Sequence, residues 1–198
     1  NVVFRVDSSY KIGSGHLMRC LVLAKSLRAA GCNVKFVCRD MSGNISSLLE
    51  ASLFETVILN SITSEPLIED GYSSWLGVSQ EIDANQMIEF LGDSAVDWVI
   101  VDHLHMLINV MTEGDERRGI DNLMTRLRSL VEETGVGMIL VSHLRRAAGE
   151  KGHEQGIEVS LSHLKGSQGI SQLSDCVIAL ERNQQADDPE EANTTKIR

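Results

Sequence analysis

The hydrophobic period changes twice in the first forty residues. Val2-Val3-Phe4-Arg5-Val6 is a short β-rich run closed by Asp7, and a polar stretch from Ser8 to Gly15 follows, with glycines at 13 and 15. From His16 the period becomes helical, because Leu17, Cys20, Leu21, Ala24 and Leu27 recur on one face. Gly31 stops that helix, and Asn33 to Cys38 reads as the next strand. Strand, glycine turn, helix and strand make a βαβ unit. Asn60 to Ser74 has no periodicity and reads as a loop.

Pattern returns at Asp97-Trp98-Val99-Ile100-Val101-Asp102-His103-Leu104, an apolar core strand that ends in a carboxylate. Asp115 to Thr134 is predicted helical, with Ile120, Leu123, Met124, Leu127, Leu130 and Val131 on one stripe and charged residues opposite. Gly135 and Gly137 end it. Met138 to Val141 is predicted as a buried strand leading into Ser142-His143, and Leu144 to Val159 as an aperiodic, mobile loop. Cys176 to Leu180 reads as another apolar strand, Ala186 to Thr195 as a loop, and Lys196-Ile197-Arg198 as the start of a further strand. The order implies an α/β fold in three layers, α/β/α. A Rossmann-like βαβ half is joined to the latter part of a RecA-like P-loop NTPase sheet.

Composition narrows the classes. The 198 residues suit one large domain or two small ones, and 42% hydrophobic with 4% aromatic content is typical of α/β cores. A net charge of −10 gives no overall attraction to nucleic acid or anionic membrane, so any such contact needs a local basic patch. Cys20, Cys32, Cys38 and Cys176 lack metal-ligand spacing and read as reduced core thiols of a cytoplasmic protein. No signal peptide and no membrane-length apolar run is visible. The chain opens without Met and stops at what reads as a strand start, so a fragment at both ends is expected.

Several positions carry candidate chemistry. A glycine turn at a helix N-terminus favours an anion, although Gly13-Ser14-Gly15 lacks both the third glycine of the dinucleotide fingerprint and the Gly-Lys-Ser/Thr of a phosphate loop. His16 is a candidate base near neutral pH, or a residue that caps the helix or packs beside Asp7. Asp102, ending an apolar strand, suits the hydrated magnesium of a nucleotide, or a helix cap. His143, ending the neighbouring strand, could donate to a γ-phosphate or simply be partly exposed. Arg145, Arg146 and Lys151 on a glycine-bearing loop could meet phosphates of a single strand, or only solvent.

Two resemblances sharpen these alternatives. Phe4-Arg5-Val6-Asp7-Ser8-Ser9, Ile12-Gly13-Ser14-Gly15-His16-Leu17-Met18-Arg19-Cys20, Phe36 to Asp40 and Trp75 to Gln80 resemble the UDP-sugar hydrolase of pseudaminic acid biosynthesis. The likeness spans residues 1–103 and ends near Asp97-Trp98 and Asp102-His103. It implies a glycosyltransferase-B-like fold, a UDP-sugar ligand without other cofactor, and His16 as the base that activates water. The second domain that holds UDP does not follow in this sequence.

Residues 97–198 resemble the DnaB-like ring helicase domain of phage primase-helicases. The likeness lies in Glu113 to Arg117, Ile120 to Thr125, Glu133 to Gly137, Val141-Ser142-His143-Leu144, Gly152-His153-Glu154, Leu164 to Ser167, Gln172 to Asp175 and Glu181 to Gln185. It implies ATP with Mg2+, single-stranded DNA and a homo-hexamer. Asp102 would be the metal carboxylate, His143 the phosphate sensor, and Gln172 the coupler of nucleotide state to DNA. The 145–153 loop would touch DNA, and Arg182 would lie by the adenine. No Gly-x-x-x-x-Gly-Lys-Ser/Thr occurs anywhere in the sequence. The water-activating glutamate and the arginine finger of that family are also expected to be missing. The expectation is therefore chimera-like: two ancestries meeting at Asp97 to His103, a helicase fragment first, a sugar-hydrolase fragment second, a single-stranded-DNA-binding module third, with neither reaction catalysed by the chain alone.

Overall fold

The computed structural model describes residues 1–61, 78, 80–92, 95–107, 113–145, 153–165 and 168–198. Five strands, β1 (Val2–Val6), β2 (Val34–Arg39), β3 (Glu55–Leu59), β4 (Trp98–Asp102) and β5 (Gly137–Val141), form one parallel sheet in the order β3-β2-β1-β4-β5. Registers run from Val2 opposite Trp98 to Val6 opposite Asp102, and from Trp98 opposite Gly137 to Asp102 opposite Val141. The sheet is therefore continuous across the segment where the two resemblances meet, with β4 between β1 and β5.

Side-chain alternation sends the strands' apolar groups to two faces. Phe4, Phe36 and Ile100 pack on one face against Leu17, Cys20, Leu21 and Ala24 of α1 (Gly15–Ala29), as the helical period predicts. Val3, Val37 and Leu59 pack on the other against Met87, Phe90 and Leu91 of α3 (Gln80–Leu91). Between them in sequence lies the short α2 (Ser47–Ala51), which buries Leu49. Beside β5, Leu140 joins Leu104 and the helices α4 (Glu113–Thr134) and α5 (Gly169–Leu173) through Ile120, Met124 and Ile170. This is the expected three-layer α/β fold. Among the described residues no helix is long and apolar enough to cross a membrane.

Five local expectations are corrected. Cys176, read as a core thiol, is exposed, while Cys20 and Cys38 are buried. Of Cys176 to Leu180 only Leu180 enters a strand: β6 (Leu180–Glu181) pairs antiparallel with β7 (Lys196–Ile197) in a separate two-stranded sheet, and Ile178 stays exposed. The strand before His143 is not buried, because β5 ends the sheet and Ile139 is 45% exposed. Leu130 lies off the buried part of its stripe at 46% exposure. Finally, the stretch 186–195 holds a short helix α6 (Pro189–Asn193), started by Asp188 accepting from the Glu190 amide at 3.0 Å with Pro in the first turn. The predicted loop 60–74 lies almost wholly outside the described residues.

Candidate functional site

The strand order reverses direction at β1 and β4, which places a crevice at their carboxyl ends, where open α/β sheets bind ligands. Three segments converge there: the loop from β1 into α1, the end of β4, and the residues after β5. Gly13, at φ +80°, allows the loop to turn back, and its amide donates to the Ser9 carbonyl at 2.8 Å. Gly15 opens α1, and a Cβ at either glycine would meet open space. Conformation, rather than crowding, is what position 13 demands.

His16, second in α1, projects to Asp102 on the same sheet face. Its Nδ1 lies 2.7 Å from Asp102 Oδ1. Arg19, one turn further along the helix, donates to both Asp102 oxygens through Nε and Nη2. The Cys20 thiol reaches Asp102 Oδ2 at 3.6 Å, and burial, with the carboxylate beside it, pushes that thiol's pKa up. Burial alone would raise the Asp102 pKa, but the hydrogen bonds from Arg19 and His16 outweigh it and hold the carboxyl well below the usual range. Asp102 is thus a buried, ionised group fully surrounded by donors. His16 neither caps the helix, where Ser14 is the N-cap, nor packs on Asp7, whose Oδ1 takes Arg5 Nη1 at 2.5 Å and the Arg39 amide at 2.7 Å.

His103 and His143 complete the cluster. The His103 ring centroid is 4.8 Å from that of His16 and 4.4 Å from that of His143, while His16 and His143 are 6.2 Å apart. Burial first, then the positive surroundings of His16, Arg19 and Lys165, lowers the His143 pKa, so its neutral form is favoured. His143 is held by the chain pairing that follows β5: its carbonyl accepts from the Lys165 amide at 3.0 Å, beside the Leu144–Leu164 bridge.

The remaining predicted residues lie elsewhere. Arg145 is exposed just past this pairing; its carbonyl accepts from His153 Nε2 at 3.1 Å. Arg146 and Lys151 fall outside the described residues. Gln172 is exposed on α5. Arg182 donates to the Ala192 carbonyl at 2.6 Å and to Asn193 Oδ1 at 2.9 Å, and lines a cavity of about 100 Å3 with Glu181, Asn183, Glu191 and Lys196. That cavity shares no lining residue with the histidine cluster.

The structure therefore gathers His16, Asp102 and His143, which the sequence divided between two sites, and adds His103 and Arg19. Both additions had a signal: His103 directly follows the strand-ending carboxylate, and Arg19 sits three residues after His16 on the same helical face.

Comparison with known proteins bears on residues 70–198, which match the family model described as the DnaB-like helicase C terminal domain. The chain belongs to this helicase family. It is also 44% identical over 93 residues to a protein named DNA helicase/primase from Enterobacteria phage T3, an alignment covering 47% of this chain and 16% of the phage protein. The parallel sheet with flanking helices agrees with a RecA-like helicase domain. Both matches carry the helicase half of the expectation; neither concerns a sugar hydrolase.

Proposed function

We propose that this helicase-family chain is part of an ATP-dependent DNA helicase of replication, which binds nucleotide and single-stranded DNA but does not turn ATP over by itself. One observation supports the reading above others: of the adjacent parallel strands, β4 ends in Asp102 and β5 runs directly into Ser142-His143, so a carboxylate and an imidazole face the same crevice. The group such domains use is ATP with Mg2+, which supplies the phosphoryl group and the charge that neutralises it. Asp102 fits the metal half of that group, being ionised at a strand end, provided Arg19 turns away from it. The phosphate half is not matched, because the sequence has no Gly-x-x-x-x-Gly-Lys-Ser/Thr. In this reading His143 senses phosphate, and Gly13 and Gly15 lie where phosphates approach. Gln172 links nucleotide state to DNA, Arg182 lines the base cavity, and Arg145, Arg146 and Lys151 meet DNA phosphates in a hexamer.

The test is equilibrium binding of a fluorescent ATP analogue with magnesium, alongside anisotropy of labelled single-stranded DNA and steady-state ATPase assays. Binding of both ligands is expected, with nucleotide affinity falling about tenfold in Asp102→Asn and in His143→Ala. DNA affinity should drop with salt and with Arg145→Ala combined with Arg146→Ala. DNA binding alone would leave a non-catalytic single-strand module; ATP turnover, or binding of neither ligand, would overturn the proposal.

A second reading rests on the 2.7 Å contact between His16 Nδ1 and Asp102, since a carboxylate that orients an imidazole makes its other nitrogen a base. It would assign the crevice to a UDP-sugar. Shifts of His16 resonances on adding a UDP-sugar would support it, and their absence at millimolar ligand would end it.

A further inference from the structure

We propose that His16, His103 and His143 form a binding site for a divalent transition-metal ion of the zinc class. The site needs no nucleotide and is tested without one; it draws on His143 and Asp102, which the helicase reading also uses, so the ion and a magnesium nucleotide would occupy the crevice in turn. Each imidazole offers one nitrogen, and the three nitrogens lie within 4.8 Å of one another. In a tetrahedral site with metal–nitrogen bonds of about 2.0–2.1 Å, ligand nitrogens stand about 3.3 Å apart. His16 and His143, both short of full burial, would close this difference by side-chain rotation when the ion binds. His103, the buried member, supplies the fixed point.

Three features favour a metal over a chance cluster. The histidines come from three separate segments that the sheet order itself brings to one edge, so the cluster is held by the fold and not by one flexible loop. His16 Nδ1 stands 2.6 Å from Arg19 Nη2 and 2.7 Å from Asp102 Oδ1, so Nε2 is the nitrogen left to face an ion, with the carboxylate placed to orient the ring as in a carboxylate–histidine–metal relay. Finally, the donor set is all nitrogen, which suits zinc, copper, nickel or cobalt and not magnesium or calcium. Arg19 and Lys165 are the cations that oppose a metal here, and Asp102 offsets the nearer charge by pairing with Arg19. Three protein ligands leave the fourth position for water.

The experiment is a titration of the purified full chain with Co2+, read by its visible absorption, and with Zn2+ in competition against a chromogenic chelator. No nucleotide is present. One equivalent of metal per chain is expected, with a tetrahedral cobalt spectrum lacking thiolate charge-transfer bands. His16→Gln and His143→Gln, each checked for folding by circular dichroism, should each weaken binding by more than about tenfold, and Asp102→Asn by about 10–100-fold through His16. His153→Gln and Cys176→Ser serve as controls, because His153 and His163 form another close pair with centroids 5.0 Å apart and Cys176 is exposed. Absence of stoichiometric binding overturns the proposal. So does binding that survives both His16→Gln and His143→Gln, or that is lost only in a control.

Discussion

Arg39 is the largest fully buried side chain described, and it is a charged one at 0% exposure. It can be there only because the charge is matched. Arg39 donates to Asp83, and Arg5 donates to Asp83 at 2.7 Å and to Asp7 at 2.5 Å, so two strands and α3 are joined by one buried ionic network. Burial would raise the Asp83 pKa, but Arg5 and Arg39 outweigh it and the carboxyl is held below its ordinary value. A depressed carboxyl contributes stability that is complete above its unfolded value, near pH 4, and is lost as pH falls through the folded one. The urea midpoint should therefore decline below about pH 4 in the wild type. Asp83→Asn should flatten that decline; parallel curves for the two proteins would refute the assignment. At neutral pH Asp83→Ala leaves two buried guanidinium groups short of a partner and should cost about 3–5 kcal/mol by denaturant unfolding.

At the scale of elements, the decisive quantity is which face of a helix is covered. Ile120 of α4 is fully buried against Leu104, Met124 and Ile170, whereas Leu130, nearly three turns later, is half exposed. Ile120→Ala should destabilise by about 2–5 kcal/mol, and Leu130→Ala by no more than about 0.5 kcal/mol. Equal effects would mean that α4 packs along its whole stripe. The same distinction explains what the sequence disclosed. The unit β1–loop–α1–β2 was legible because its period switches cleanly between strand and helix, and β4 because it is an unbroken apolar run. β3 and α3 carry weaker signals, although Thr56, Val57 and Ile58 of β3 are β-branched and α3 supplies Met87 and Phe90 to the core. Residues 176–180 looked like a core strand since apolar content cannot reveal a strand's partner; here that partner is Lys196–Ile197. The site was half legible for a related reason. His16, Asp102 and His143 each stood at an element boundary in the sequence, but their convergence depends on β4 lying between β1 and β5, which no local pattern encodes.

Across the whole molecule, β4 makes the two halves of the chain one structure. Ile100, nearly fully buried in the middle of that strand, packs with Phe4 and Phe36, and its backbone neighbours are Phe4 on one side and Ile139 on the other. Ile100→Ala should speed amide hydrogen exchange in both β1 and β5; acceleration confined to one of them would show that the halves unfold separately. The outer side of this sheet has a practical consequence. β5 closes the sheet order, and the half-exposed Trp98 and Ile139 lie in register with Val2 and Ile100 on the face that α1 packs against, at the side of it left uncovered. An apolar edge of this kind is a template on which further chains can add strands. Concentrated or warmed samples should scatter light increasingly with time, and a single lysine in place of Ile139 should delay that onset while leaving the histidine crevice at the far end of the strand as it is.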